Sequence, residues 1–160
     1  MNGQRTVLLA SDSEAVFEQV DAALSEPSTR VLRVSSGHDV VPAIREFEPD
    51  LVVLDLQIGS MGGVAASLAI RNEIDGGRLD GQNVLLLLDR IADVFIASKS
   101  DADGWIVKPI NPLRLRRAAA AVMAGGYFTE HLGGDEDDTG AVRSSGRTVV
   151  AQPALTESQG

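Results

Sequence analysis

The chain of 160 residues has no cysteine, which excludes disulfides, thiolate zinc sites and a cysteine nucleophile. Aromatic residues make up only 4% of it, so a core must be built from Val, Leu, Ile and Ala, the residues of a sheet covered on both faces. Positive charge is also scarce: 14 Lys and Arg stand against 23 Asp and Glu, and the formal net charge is -9. Cationic side chains supply most of the non-specific affinity for phosphate backbones, so direct DNA binding is not expected. Long apolar runs are missing as well. Met1-Asn2-Gly3-Gln4-Arg5 leads straight into a strand-length run, too short for a signal-peptide core or a membrane span, and the expected compartment is the cytoplasm.

What is present is 44% hydrophobic residues, enough for one real core. They alternate along residues 1 to 128 between short β-rich runs and longer stretches of helical period, the pattern of βαβ units on a parallel sheet. Strands are expected at Thr6 to Ala10, Arg30 to Val34, Leu51 to Asp55, Val84 to Leu88 and Trp105 to Val107. Val84 to Leu88 is the most apolar and is expected at the centre. A first helix carries Val16, Phe17, Val20 and Leu24 and stops before Pro27; a second opens at Ser36-Gly37-His38-Asp39 and carries Val40, Val41, Ile44 and Phe47. A third runs through Val64, Leu68 and Ile70 to Ile74 and breaks at Asp75-Gly76-Gly77, and a short fourth covers Ile91 to Ser98. Asn111-Pro112 is a cap followed by proline at the first helical position, opening a fifth helix through Leu115, Ala118, Ala119 and Val122.

Residues 129 to 160 differ in kind. They hold six acids against two arginines, a net of -4, together with five glycines and few large apolar side chains. Such a composition cannot repay its ordering entropy, so a disordered acidic tail is expected, with no second folded domain in it.

Three strands end in charge. Asp12 follows the first, Asp55 closes the third, and Lys108 with Pro109 follows the fifth. Right-handed crossovers bring the carboxyl ends of parallel strands to one edge, so these groups converge although they are distant in sequence. Two carboxylates drawn together need a counter-charge, and hard oxygen ligands without His or Cys suit Mg²⁺ or Mn²⁺. Lys108 adds a point charge for a phosphoryl oxygen. Such a site suits aspartyl-phosphate chemistry, in which one carboxylate attacks phosphorus, and Asp55 is the better nucleophile because a glycine-containing loop follows it.

Asp12, the block Pro49-Asp50-Leu51-Val52-Val53-Leu54-Asp55 before Met61-Gly62-Gly63, and the block Asp103-Gly104-Trp105-Ile106-Val107-Lys108-Pro109 together resemble the receiver domain of two-component response regulators, over about residues 5 to 124. The resemblance implies a flavodoxin-like, doubly wound α/β fold of five βα repeats, with parallel strand order 2-1-3-4-5. It implies Asp55 as the phosphoacceptor, Lys108 as the phosphate-sensing lysine, Mg²⁺ held by Asp12, Asp55 and the Gln57 carbonyl, and Trp105 as the aromatic switch. It also implies a histidine kinase or phosphotransfer protein as phosphodonor, a downstream protein partner, and a surface of fourth helix, fifth strand and fifth helix for signalling or homodimer formation.

Several positions depart from the family's pattern. The acid pair after the first strand is Ser11-Asp12, and the usual proline and aspartate of the loop after the phosphoacceptor are Gly59 and Gly62. After the fourth strand, where receivers carry Thr or Ser, this chain has Leu88-Asp89-Arg90. Asp89 in that switch position brings a negative charge towards the phosphate unless Arg90 pairs with it. The stretch from Asp89 to Lys108 is a few residues short. The reading is a single-domain receiver; its alternative is a pseudo-receiver acting as a phosphorylation-independent interaction module. An aspartyl phosphatase would carry a second acid where Gln57 stands, so enzymatic turnover is not expected.

Overall fold

A computed structural model describes residues 3–59 and 61–129. The acidic tail expected over 129 to 160 lies, from Glu130 on, outside the described residues. Five parallel strands, β1 (Arg5–Ala10), β2 (Thr29–Val34), β3 (Leu51–Asp55), β4 (Val84–Leu88) and β5 (Gly104–Val107), form one sheet in the order β2-β1-β3-β4-β5. The helices are α1 (Glu14–Leu24), α2 (Val40–Phe47), α3 (Gly63–Asp75), α4 (Val94–Ser98) and α5 (Pro112–Met123). This is the doubly wound, flavodoxin-like architecture, in which ligands meet the carboxyl edge of the strands.

The period-two alternation of the strands splits their side chains between two cores. Val7, Leu9, Leu51, Val53, Leu85, Leu87 and Ile106 face α1 and α5. Leu8, Ala10, Val52, Leu54, Val84, Leu86 and Leu88 face the side of α2, α3 and α4. Every residue of β3 and β4 is buried, so these runs read as continuous rather than alternating. Full burial of each Leu or Val is worth about 1.5–3 kcal/mol, and that energy holds the sheet edge in place. The expectation of a central β4 is met only in part: β4 is interior, but β3 takes the middle place.

The caps follow the sequence. The Ser13 hydroxyl accepts from the Val16 N–H at 3.2 Å, and the Asn111 side chain accepts from the Arg114 N–H at 3.0 Å ahead of Pro112. Two expected helices start differently. Gly37–Asp39 and Ile91–Asp93 are single 3₁₀ turns, and α-helix begins only at Val40 and Val94. Between β4 and β5 the chain forms the 3₁₀ turn Ile91–Asp93 and the helix α4 of 5 residues. Leu68 and Phe47, expected on apolar faces, are exposed. The buried stripe of α3 runs through Gly63, Ala66, Ser67 and Ile70, one position out of phase with Leu68. On α2 it runs through Val40, Ala43 and Ile44, and Phe47 lies in the last turn, beyond it.

Beyond α5 the chain turns back at Gly125, with φ +95, and Phe128 joins the outer edge of β5. The Trp105 N–H donates to the Phe128 carbonyl at 2.8 Å, and the Phe128 ring enters the core beside Ile106 and Leu115. A Cβ on Gly104 would stand 2.5 Å from that carbonyl, which is why glycine opens β5.

Candidate functional site

Strand register assembles the site. Ala10 lies opposite Leu54, so Ser11 comes beside Asp55 one residue beyond. Asp55 lies opposite Leu87, and Leu88 opposite Val107, so Asp89 and Lys108 emerge side by side. The loop after β3 must then turn close under this edge. A Cβ on Gly63 would stand 2.7 Å from the Asp55 carbonyl oxygen, and Gly62 sits at φ +81, so both loop glycines answer a backbone constraint.

Asp55 is 2% exposed, and its two carboxylate oxygens are held differently. Oδ1 accepts from Lys108 Nζ at 2.7 Å and stands 3.5 Å from the Gln57 N–H. Oδ2 accepts from the Ser11 hydroxyl at 2.8 Å. Ser11 is itself fully buried; its Oγ accepts from the Ser13 N–H at 3.0 Å and its carbonyl accepts from Arg33 Nε at 3.0 Å. A charge this deep is tolerated only when paired and hydrogen-bonded, and here both conditions are met.

Lys108 donates a second time, to Asp89 Oδ1 at 2.8 Å, so one ammonium bridges two carboxylates. Burial alone would lower the Lys108 pKa, but the hydrogen bonds and charges of Asp55 and Asp89 outweigh it and hold the lysine above its ordinary value. The Lys108–Pro109 peptide bond is cis. Arg90 does not pair with Asp89. Its guanidinium reaches Asp93 Oδ1 at 3.2 Å, while the N–H groups of Asp89 and Arg90 donate to Asp93 Oδ2 at 3.2 and 3.0 Å. Burial would raise the Asp93 pKa, yet these donors together hold it below the ordinary carboxylate value. Asp93 thus fixes the backbone that carries Asp89. Sequence reasoning missed it, although an acid three residues after Arg90 has the spacing of a capping box.

Asp12 is exposed, with Oδ2 accepting from the Gly59 N–H at 3.0 Å across the mouth of the site. Asp12, Asp55 and the backbone of Gln57 therefore share this edge, an all-oxygen donor set that fits a hard divalent cation. It is a thin one. Among the described residues no three His, Cys, Asp or Glu side chains gather for a metal, and the neighbour of Asp55 on the β1 side is the Ser11 hydroxyl. Lys108 is set between Asp55 and Asp89 and is the counter-charge of that pair; it forms no ion pair with Asp12 among the described residues. Trp105 is half-buried, three residues before Lys108, and packs against the α2, α3 and α4 core. On α5, Arg116 Nε donates to the Ala23 carbonyl in α1 at 3.2 Å.

A family profile described as response regulator receiver domain matches residues 7–120. Among curated proteins the chain is 29% identical over 153 residues to the transcriptional regulatory protein AfsQ1 of Streptomyces coelicolor, covering 94% of this chain and 61% of that one. It is 26% identical over 153 residues to the DNA-binding response regulator MtrA of Mycolicibacterium smegmatis, covering 94% and 60%. The chain thus spans about 60% of the length of these relatives. Among solved structures, a putative response regulator from Chloroflexus aurantiacus superposes with TM-score 0.68 at 21% identity, over 76% of this chain and 98% of that one. The chemotaxis protein CheY4 of Vibrio cholerae gives 0.65 at 21% identity, over 75% and 99%. These two likenesses bear on the fold.

Proposed function

The chain belongs to the response regulator receiver family, and on that premise we propose that it accepts a phosphoryl group on Asp55 from a histidine kinase or phosphotransfer protein. The observation that carries this reading is the buried Asp55 carboxylate at the end of β3, held between the Lys108 ammonium and the Ser11 hydroxyl. An Asp55 oxygen attacks phosphorus of the donor; the new O–P bond forms as the donor's own bond to phosphorus breaks, the bonding pair leaves with the donor atom as neutral imidazole where the donor is a ring-protonated phosphohistidine, and the ionised carboxylate has no proton to lose. Lys108 orients the attacking carboxylate and balances charge. Mg²⁺, when bound by Asp12, Asp55 and the Gln57 carbonyl, would neutralise phosphoryl oxygens. Trp105 is the candidate switch aromatic, and Asp89 takes the switch position at the end of β4. We divide the chain into a receiver over 1–128 and an acidic segment over 129–160.

Output through protein contact follows from the charge of -9, which disfavours a DNA backbone, and the α4-β5-α5 face is the candidate surface for it or for a homodimer. Among the described residues no helix is long and apolar enough to cross a membrane, and we place the reaction in the cytoplasm with its kinase. A second reading, a phosphorylation-independent interaction module, draws on the same contacts, since Ser11 and Asp89 already occupy Asp55 and Lys108.

Intact-mass analysis after incubation with acetyl phosphate and Mg²⁺ separates the two. Wild type is expected to gain one phosphoryl group and Asp55→Ala none. An adduct that persists in Asp55→Ala contradicts the site, and its absence from wild type favours the interaction module.

A further inference from the structure

We propose that Asp89 is a built-in competitor for Lys108, an internal carboxylate that phosphorylation must displace and that therefore sets how readily Asp55 is phosphorylated. The inference rests on the reading of Asp55 as phosphoacceptor and adds to it a regulatory contact within the chain.

Lys108 has few protons to share. An ammonium has three N–H bonds, and two are committed to carboxylates, at 2.7 Å to Asp55 and 2.8 Å to Asp89. The two contacts are unequal in kind. Asp55 lies in the sheet edge with 3% of its side chain exposed, whereas the Asp89 side chain is 30% exposed and lies at the mouth. A phosphoryl group on Asp55 extends towards that mouth and brings oxygens that need Lys108. It meets a carboxylate already there, and like charges a few ångströms apart are costly.

Asp89 is also prevented from drifting away. Its N–H and that of Arg90 are tied to the buried Asp93, and the Arg90 guanidinium is committed to Asp93 as well. No cation other than Lys108 forms an ion pair with Asp89 among the described residues. Asp89 therefore does two things at once. It withholds part of the lysine from an incoming phosphoryl group, and it places an unfavourable charge where that group must sit. A neutral side chain at this position would do neither. Asp89 acts through Lys108 and is a positioning residue rather than a catalytic one.

The test compares rates of labelling by acetyl phosphate with Mg²⁺, read by intact mass, for wild type, Asp89→Asn, Asp89→Thr and Asp89→Glu, with Asp55→Ala as the blank. Asp89→Asn and Asp89→Thr are expected to label about tenfold faster than wild type, the factor that corresponds to about 1.4 kcal/mol. Asp89→Glu keeps the charge and is expected to stay near the wild-type rate, which a merely structural role for Asp89 would not predict. Binding of beryllofluoride with Mg²⁺, followed by calorimetry, reports the same competition without a covalent step and should tighten by a similar factor in Asp89→Asn. Equal or slower labelling of the neutral variants, with Asp55→Ala still blank, overturns the competition and leaves the phosphoacceptor intact. No labelling of any variant overturns both.

Discussion

Lys108→Ala is expected to destabilise the protein by about 3 kcal/mol, in the range found when one partner of a buried ion pair is removed. For a domain of this size that is a fall of about 10 °C in melting temperature. The loss comes from Asp55 rather than Asp89. Asp89 is open to water and can rehydrate, but Asp55, at 2% exposure, keeps only the Ser11 hydroxyl and a long contact to Gln57. Removing the second charge should relieve the first: Asp55→Ala combined with Lys108→Ala is expected to be more stable than Lys108→Ala alone. The pH dependence has a definite sign. Lys108 is held above its ordinary value of 10.5, so the pair's contribution is complete below that value and is lost as pH rises through the folded-state pKa. The gap between wild type and Lys108→Ala should therefore be constant from neutral pH upward and close only in strong alkali. Equal melting temperatures at neutral pH would mean that Asp55 is not a buried charge.

Ser11→Asp is expected to have two large effects of opposite direction. The Ser11 hydroxyl is fully buried and donates to Asp55 Oδ2. A carboxylate in its place removes that donor and sets a second negative charge against Asp55, at a cost of about 2 kcal/mol or more without metal. It also supplies the acid that the oxygen donor set lacks. Mg²⁺ affinity is expected to rise about tenfold or more, and Mg²⁺ should then raise the melting temperature of Ser11→Asp far more than that of wild type. Thermal melts of both proteins across a Mg²⁺ series read both effects. A variant indifferent to Mg²⁺ would contradict the placement of a cation at Asp12, Asp55 and Gln57.

The fold was legible because its signals are strong and local. Buried strands such as Leu51 to Asp55 and Val84 to Leu88 are unbroken apolar runs, and Ser13, Asn111 and Pro112 mark helix starts by their own chemistry. From strand ends and crossover handedness it also followed that Asp12, Asp55 and Lys108 share an edge. What sequence could not yield was the partition of contacts within that edge. A lysine at a strand end does not announce that it serves two carboxylates, and Arg90, adjacent to Asp89, reads as its natural partner. The 3₁₀ turn of Ile91–Asp93 instead carries Asp93 back to the Arg90 guanidinium and to the N–H groups of Asp89 and Arg90. Phe47 and Leu68 show the same limit in the helices. Period identifies an apolar face, but how much of it the sheet covers depends on packing distances. The return of Phe128 to β5 through a turn at Gly125 is a single bridge with no periodic signal in the sequence.

The central claim is that Asp55 is the residue that takes the phosphoryl group. Its most direct test is borohydride reduction of the protein after acetyl phosphate and Mg²⁺, which converts an aspartyl phosphate to homoserine, followed by peptide sequencing by mass spectrometry. Homoserine is expected at position 55 and at neither position 12 nor position 89. Homoserine at Asp12 or Asp89, or a phosphorylated protein with Asp55 unmodified, would contradict it.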